Sequence, residues 1–457
     1  MGMIERFLDR KRLISFGLFS VFFHTVITFL PYFFDGLGWL YIVDYVLLGL
    51  MGFAGIMYIA KNQIAIRFQP AQLVLVLFII WYIISCLSMT INFHSDWVTY
   101  NSAGILNTAI TIMLAFPLGY VMIREGDNSF GRILLHILLI GWTLVITFVL
   151  INIFQGKQIV TPNNGIIRMH EGVLQINCNQ NTTGAWELLF FLGCCFMILW
   201  SKPVLLKISY GIFSIIHFTT LTLSNCRAGF LAAFAGFMAF AGIAVYLRLE
   251  KNKKLHRLLI AIIAAVAAGV AYYFLSQLVF SLYNLSTGAK SSGRAFVTQE
   301  QTFSGREQVW QYAIAGIFSS VRAAIFGFTP VSVPEMISQM SDGVSNVYTH
   351  NQFLEIAAGI GIPGLCMFLV WFYMIMRDSY KLFFVQKDRT LVLLIPVIII
   401  ALMLENMMEA ILVFYDYPHP YVFFLLCGLI YGKVNEPIQI KTLSRQAIRN
   451  KQRKKKK

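Results

Sequence analysis

A chain of 457 residues in which 58% are hydrophobic and only 12% charged cannot build an ordinary soluble domain, where about a quarter of residues are charged. Its net charge of +15 raises nucleic acid as a partner, but the placement of that charge argues for lipid instead. The basic residues collect in the tail 451–457 and in short turns between apolar runs, as they do in cytoplasmic loops beside anionic membrane surfaces.

A run of roughly 20 apolar residues spans a bilayer. Twelve are predicted, at 13–34, 39–60, 71–91, 101–123, 133–153, 183–200, 203–223, 228–247, 258–281, 361–376, 391–413 and 419–432. The expected fold is therefore all-α: one polytopic integral-membrane domain over 1–457, without internal repeats. The leader Met1–Arg12 is basic, but the run behind it is long enough to span, so no cleavable signal is expected. With the N-terminus inside, 29 of the 36 lysines and arginines fall on the cytoplasmic side, including those of the tail 433–457. Seven remain outside: Lys157, Arg168, Arg227, Lys290, Arg294, Arg306 and Arg322. Both termini are thus expected in the cytoplasm.

Two outward segments are long. The first covers about 154–182. The second, 282–360, is a large extracytoplasmic loop between spans 9 and 10, and the only stretch of sustained soluble-like composition. Within it Arg306–Ser319 has helical spacing of Val309, Trp310, Ala313 and Ile317, whereas 331–345, with Pro334 and Gly343, reads as loop.

Basic residues kept on the outer face need a reason. Arg227 sits in a short turn between two spans, where a guanidinium either snorkels to headgroups or grips the phosphate of a lipid-linked substrate. Arg306 opens the loop helix, where a cation gains nothing from the macrodipole but could join it in holding an anion. Lys290 and Arg294 read as solvated. Thr349 and Gln352 have capping-box spacing, which puts His350 in a first helical turn. Backbone N–H groups there disfavour imidazolium and leave the ring able to take up a proton. Glu405 and Glu409, four apart, are predicted on one helical face in the outer half of a span. They could pair with an arginine, orient a sugar or relay protons. Asp44 and Glu187 pose the same question. Seven cysteines without a Cys-x-x-Cys pair and eight scattered histidines indicate no disulfide framework or metal cluster. No P-loop, GxSxG, HExxH or dinucleotide fingerprint is present.

The segment His350-Asn-Gln-Phe-Leu-Glu-Ile-Ala-Ala-Gly-Ile-Gly-Ile-Pro-Gly-Leu365 resembles the signature of the O-antigen ligase and polymerase family. In that family a His-Asn pair closes the large outer loop and a Gly-Ile-Pro-Gly turn leads into the tenth span. Arg227 in Ser-Asn-Cys-Arg-Ala-Gly, Arg306 with Trp310, and Phe326-Gly327 match further family features. Cys226, Thr329 and Gly359 depart from it, standing where serine, a second glycine and an acidic residue are usual. The resemblance covers about 181–432 and implies a metal-independent glycosyltransferase of the bacterial cytoplasmic membrane, without cofactor. It would act at the outer face on a polyprenyl-diphosphate-linked oligosaccharide, with a glycan or lipid-linked glycan as acceptor. It casts His350 as general base and Arg227 and Arg306 as holders of the donor diphosphate, with Asn351, Glu405 and Glu409 available to the acceptor or behind the base. The competing reading is a transporter or flippase, which the spans and intramembrane carboxylates suit equally. One dominant loop with a histidine and arginines, and the lack of repeats, do not suit it.

Overall fold

The computed structural model describes residues 10–29, 39–51 (41 and 45 excepted), 70–90, 104–125 (107 and 110 excepted), 129–160, 166–170, 173–175, 180–249, 253–288, 306–343, 347–384, 394–414 and 419–434. Lys290, Arg294, the middle of the large loop and the tail beyond 434 lie outside them. The principal helices are α1 (Arg10–Phe29), α2 (Pro70–Thr90), α3 (Phe116–Glu125), α4 (Ser129–Phe154), α5 (Gln180–Trp200), α6 (Val204–Ser224), α7 (Arg227–Arg248) and α8 (Lys254–Thr287). They continue with α9 (Arg306–Ile317), α10 (Val321–Phe326), α11 (Val333–Met340), α12 (Gln352–Phe384), α13 (Ile395–Glu405) and α14 (His419–Val434).

Among the described residues seven helices are long and apolar enough to cross a membrane, lying in α2, α4, α5, α6, α7, α8 and α12. They coincide with seven of the twelve predicted runs. Five shorter apolar helices, Arg12–His24, Ile42–Met51, Gly104–Tyr120, Ile395–Glu405 and His419–Val434, fall on the other five. Helix ends follow local chemistry. Pro70 opens α2, and left-handed residues, Asn225 (φ 51°) and Gly288 (φ 68°), close α6 and α8.

α5 is the inner helix, packed against α6, α7 and α13, and its apolar window is 72% buried. α8 is the opposite case: its window is 17% buried and presents Ile262, Val266, Val270 and Phe274 outward, a surface suited to acyl chains. α2 packs along α12 through Phe78 and Phe368. Asp44 and Glu187, raised by the sequence as possible site residues, instead tie helices together. Asp44 lies 2.6 Å from His24, and Glu187 lies 2.7 Å from His217 and accepts from Trp142 at 2.9 Å. Thr143 meets the other His217 nitrogen at 2.9 Å, completing a buried polar network.

The fold is all-α as expected apart from a small antiparallel sheet within 154–182, β1 (Ile159–Val160), β2 (Ile166–His170) and β3 (Val173–Gln175), in the order β1-β2-β3. The stretch 331–345 is not all loop: a 3₁₀ turn at Pro330–Ser332 leads into α11. Pro334 stands at the helix start, where its missing N–H costs nothing, and Val333, Met336 and Ile337 bury against α9 and α12. At about 1.5–3 kcal/mol for each buried apolar side chain, that burial outweighs the loop-like composition. Finally, the helix expected near His350 starts at Gln352 and bends inside itself at Ile360 and Gly361.

That bend explains the Phe326-Gly327 and Gly-Ile-Pro-Gly segments together. Gly361 has φ 78°, and a Cβ there would overlap the Ile325 carbonyl. The N–H groups of Phe328 and Thr329 donate to Ala358 and Gly359 at 2.7 and 2.8 Å, while Trp81 stacks on Phe326 and donates to the Ile360 carbonyl. Thr329, standing where the family favours glycine, has φ 67°. That backbone conformation strains a β-branched residue, and glycine would adopt it freely.

Candidate active site

The site forms where five helix ends meet: the starts of α5, α7, α12 and α14 and the segment following α13. The start of α12 is held first. Asn351 caps it, its Oδ1 accepting from the N–H groups of Phe353 and Leu354 at 3.0 and 3.1 Å. The capping-box expectation is therefore corrected: Thr349 is not the cap, and His350 precedes the helix in a left-handed conformation (φ 50°). The residue before it is fixed from three sides. Thr349 donates through its N–H and hydroxyl to the buried Glu355 carboxylate at 3.0 and 2.7 Å, and Trp310 of α9 donates to its carbonyl at 2.9 Å. Trp310 thus positions the histidine loop.

The same helix start straps down the chain after α13. Gln352 donates through its N–H to Asn406 at 2.8 Å, and its side-chain oxygen accepts from Leu412 and Val413. Asn351 Nδ2 donates to the Met407 carbonyl at 3.0 Å. α13 ends at Glu405, and Asn406 then accepts from the Ile411 N–H at 2.9 Å, closing an irregular turn. Glu405 and Glu409 therefore do not share a helical face, contrary to the expectation from their spacing. Glu405 is fully buried behind the turn, and neither carboxylate oxygen has a hydrogen-bond partner among the described residues.

Glu409 reaches the histidine. Its Oε2 lies 3.1 Å from His350 Nδ1, and its Oε1 accepts from Arg306 Nη2 at 2.6 Å. Arg306 also donates to the Met408 carbonyl. These contacts use two of the five guanidinium N–H donors, so the fork retains capacity for an anion. Glu409 is 8% exposed, Arg306 17% and His350 31%, a gradient from the protein interior to an accessible ring. A carboxylate can only accept, so the proton between Glu409 and His350 belongs to Nδ1, and Nε2 remains for chemistry.

Arg227 is brought close by glycine contacts. A Cβ on Gly184 would collide with Cys226, and one on Gly229 would press on the Gly184 carbonyl at 2.9 Å, so the α6–α7 turn sits tightly on the start of α5. Cys226 caps α7 with its sulfur and is fully buried. Burial, with the Glu409 and Glu405 carboxylates nearby and Arg306 opposing them, pushes its thiol well up. Arg227 itself is half-buried, opens α7 and does not line the cavity described next. The other described cations that the charge partition assigns to the outside lie elsewhere: Lys157 and Arg168 line a separate hollow with Tyr283, and Arg322 donates to Ser88.

A cavity of about 220 Å³ opens against this arrangement. His350, Glu409, Tyr348, Asn181, Trp186 and His419 line it. Sequence reasoning named the first two and missed the rest. The available signal for His419 was its setting between Pro418 and Pro420 at the start of the last apolar run.

Residues 212–369 match the sequence model of the O-antigen ligase family. The matched stretch runs from within α6 into α12 and contains Arg227, Arg306, Trp310, the Phe326-Gly327 step and the His350–Leu365 segment, so the family resemblance carried by those residues is shown. It spans roughly a third of the chain. Glu405, Glu409 and His419 lie beyond the O-antigen ligase match, yet the structure folds Glu409 onto its histidine and sets His419 in the wall of the same cavity. Over that stretch the chain is similar to the O-antigen ligase family. No curated protein matches the chain.

Proposed function

We propose that the protein transfers or polymerises oligosaccharide from a polyprenyl-diphosphate-linked donor onto an acceptor sugar hydroxyl. The reaction is placed at the outer face of a bacterial cytoplasmic membrane, with both termini inside. The observation that carries this reading is the Arg306–Glu409–His350 chain of contacts at the wall of a cavity. His350 Nε2 removes the acceptor hydroxyl proton, the acceptor oxygen bonds the anomeric carbon, and the bond from that carbon to the diphosphate oxygen breaks. The departing polyprenyl diphosphate keeps the electron pair, and Arg227 with the remaining donors of Arg306 stabilises its charge. Glu409 accepts from Nδ1–H, selects the tautomer and stabilises the imidazolium that forms. Metal assistance has no place in this scheme.

The positive-inside partition supports the side: Asn181, Tyr348 and His350 fall on segments it assigns to the outside, and Trp186, Glu409 and His419 lie at the outer ends of predicted spans. The test is His350→Ala and His350→Gln in purified, reconstituted protein. Both should lose transfer by about 10²–10⁴-fold while retaining donor binding, because Gln restores a hydrogen bond but cannot take up a proton. Near-normal transfer by His350→Ala would refute base catalysis by this residue, and absence of transfer by the unmodified protein would favour a transport role.

A further inference from the structure

The cavity contains one polar group that the proposed reaction does not use. His419, the first residue of α14, belongs to the cavity wall and is fully buried. Neither ring nitrogen makes a hydrogen bond of normal length and angle among the described residues; the Ala185 backbone offers one of them a poorly aligned contact and leaves the other open. Buried polar groups in folded proteins are almost always satisfied, so a ring kept this way at a cavity wall is built for something that enters the cavity. An imidazole offers one donor and one acceptor, the complement of a hydroxyl group. The volume holds on the order of seven waters at about 30 Å³ each, the bulk of a single sugar ring. Trp186 adds an apolar wall of the kind that sugar C–H faces rest against.

We propose that His419 binds the acceptor sugar by hydrogen-bonding one of its hydroxyl groups and thereby sets which acceptor is used. The inference rests on the transfer reaction proposed above, because the sugar sharing a cavity with His350 is the one whose hydroxyl that base deprotonates. His419 is a binding residue rather than a second base: among the described residues no carboxylate hydrogen-bonds to it, whereas His350 has Glu409.

The experiment uses the full chain in lipid nanodiscs and the lipid-linked oligosaccharide that accumulates in cells lacking this protein. Acceptor fragments missing one hydroxyl at a time accompany it. His419→Ala should raise the acceptor KM by roughly tenfold or more, leaving kcat and donor KM within about twofold, since an unpaired polar group disfavours binding without touching the reacting atoms. His419→Gln, which keeps a donor and an acceptor, should recover most of that loss. One deoxy acceptor should be penalised about tenfold by the unmodified protein and carry no extra penalty with His419→Ala. A fall in kcat at unchanged acceptor KM, or penalties identical in both proteins for every deoxy acceptor, overturns the proposal. If the alanine variant does not fold, the unmodified protein's indifference to every deoxy acceptor overturns it equally. If the unmodified protein transfers nothing, the reaction reading fails, and quenching of tryptophan fluorescence by the same oligosaccharide decides His419 separately. Equal affinity of the unmodified protein and His419→Ala (or His419→Gln, should the alanine variant not fold) then rejects it.

Discussion

Replacing Glu409 by Gln is the sharpest perturbation of the candidate site because it keeps the shape and changes only what the side chain can donate. In the native arrangement both carboxylate oxygens accept, one from Arg306 at 2.6 Å and one from the His350 Nδ1 side at 3.1 Å. An amide has one oxygen and one NH₂ group. The arginine can only donate, so the amide oxygen must face it, and the NH₂ then faces His350. Nδ1 is forced to accept, the ring proton moves to Nε2, and the atom needed as base is blocked. In a Ser-His-Asp site an equivalent wrong-tautomer substitution lowers kcat by about 10⁴-fold, so a loss of roughly 10³–10⁴-fold is expected here, ~4–5.5 kcal/mol of barrier at 1.36 per decade. Folding should suffer less. The Arg306 contact is a charge-assisted bond with one partner 17% exposed, so its loss should cost about 1.5–3 kcal/mol. The assay is transfer from lipid-linked donor by reconstituted protein, read as glycan product on gels, beside thermal unfolding of the same preparation. If Glu409→Gln retained transfer within about threefold of normal, the tautomer argument and the orienting role of Glu409 would both be wrong.

Arg227→Lys should lower glycan yield by at least about tenfold at normal expression, since an ammonium cannot reproduce the two-pronged grip of a guanidinium on phosphate. Normal yield would remove the fork from the mechanism. Gly361→Ala should destabilise the fold by roughly 2–4 kcal/mol, from a φ of 78° and a Cβ driven into the Ile325 carbonyl. Unchanged thermal unfolding would show that the bend adapts. For topology, a cysteine at Ser319 in a cysteine-free background should react with an impermeant maleimide on intact cells, and one at Lys455 should not; the reverse pattern would invert the orientation.

By itself the sequence determined where the apolar helices lie and which arginines and histidine deserve scrutiny. Transfer of an apolar run into lipid depends on about 20 consecutive residues, and the charge rule depends on the turns beside them, so both are local. The seven helices of spanning length accordingly fall on predicted runs. The family match lies on the stretch whose motifs were read as O-antigen-ligase-like. Local reading failed where a contact from elsewhere in the chain overruled spacing. Thr349 and Gln352 have the interval of a capping box, but Glu355 and Trp310 occupy Thr349 and leave Asn351 to cap. Glu405 and Glu409 have the interval of a helical face, but Gln352 captures the N–H groups of Leu412 and Val413 and the helix stops at Glu405. Those bonds join residues about 60 positions apart, and the pairing of Arg306 with Glu409 crosses 103. No periodicity within a segment encodes them. The residue that selects the tautomer of His350 was therefore visible in the sequence as a costly carboxylate, and acquired its partner only when the ends of α9, α12 and α13 were packed together.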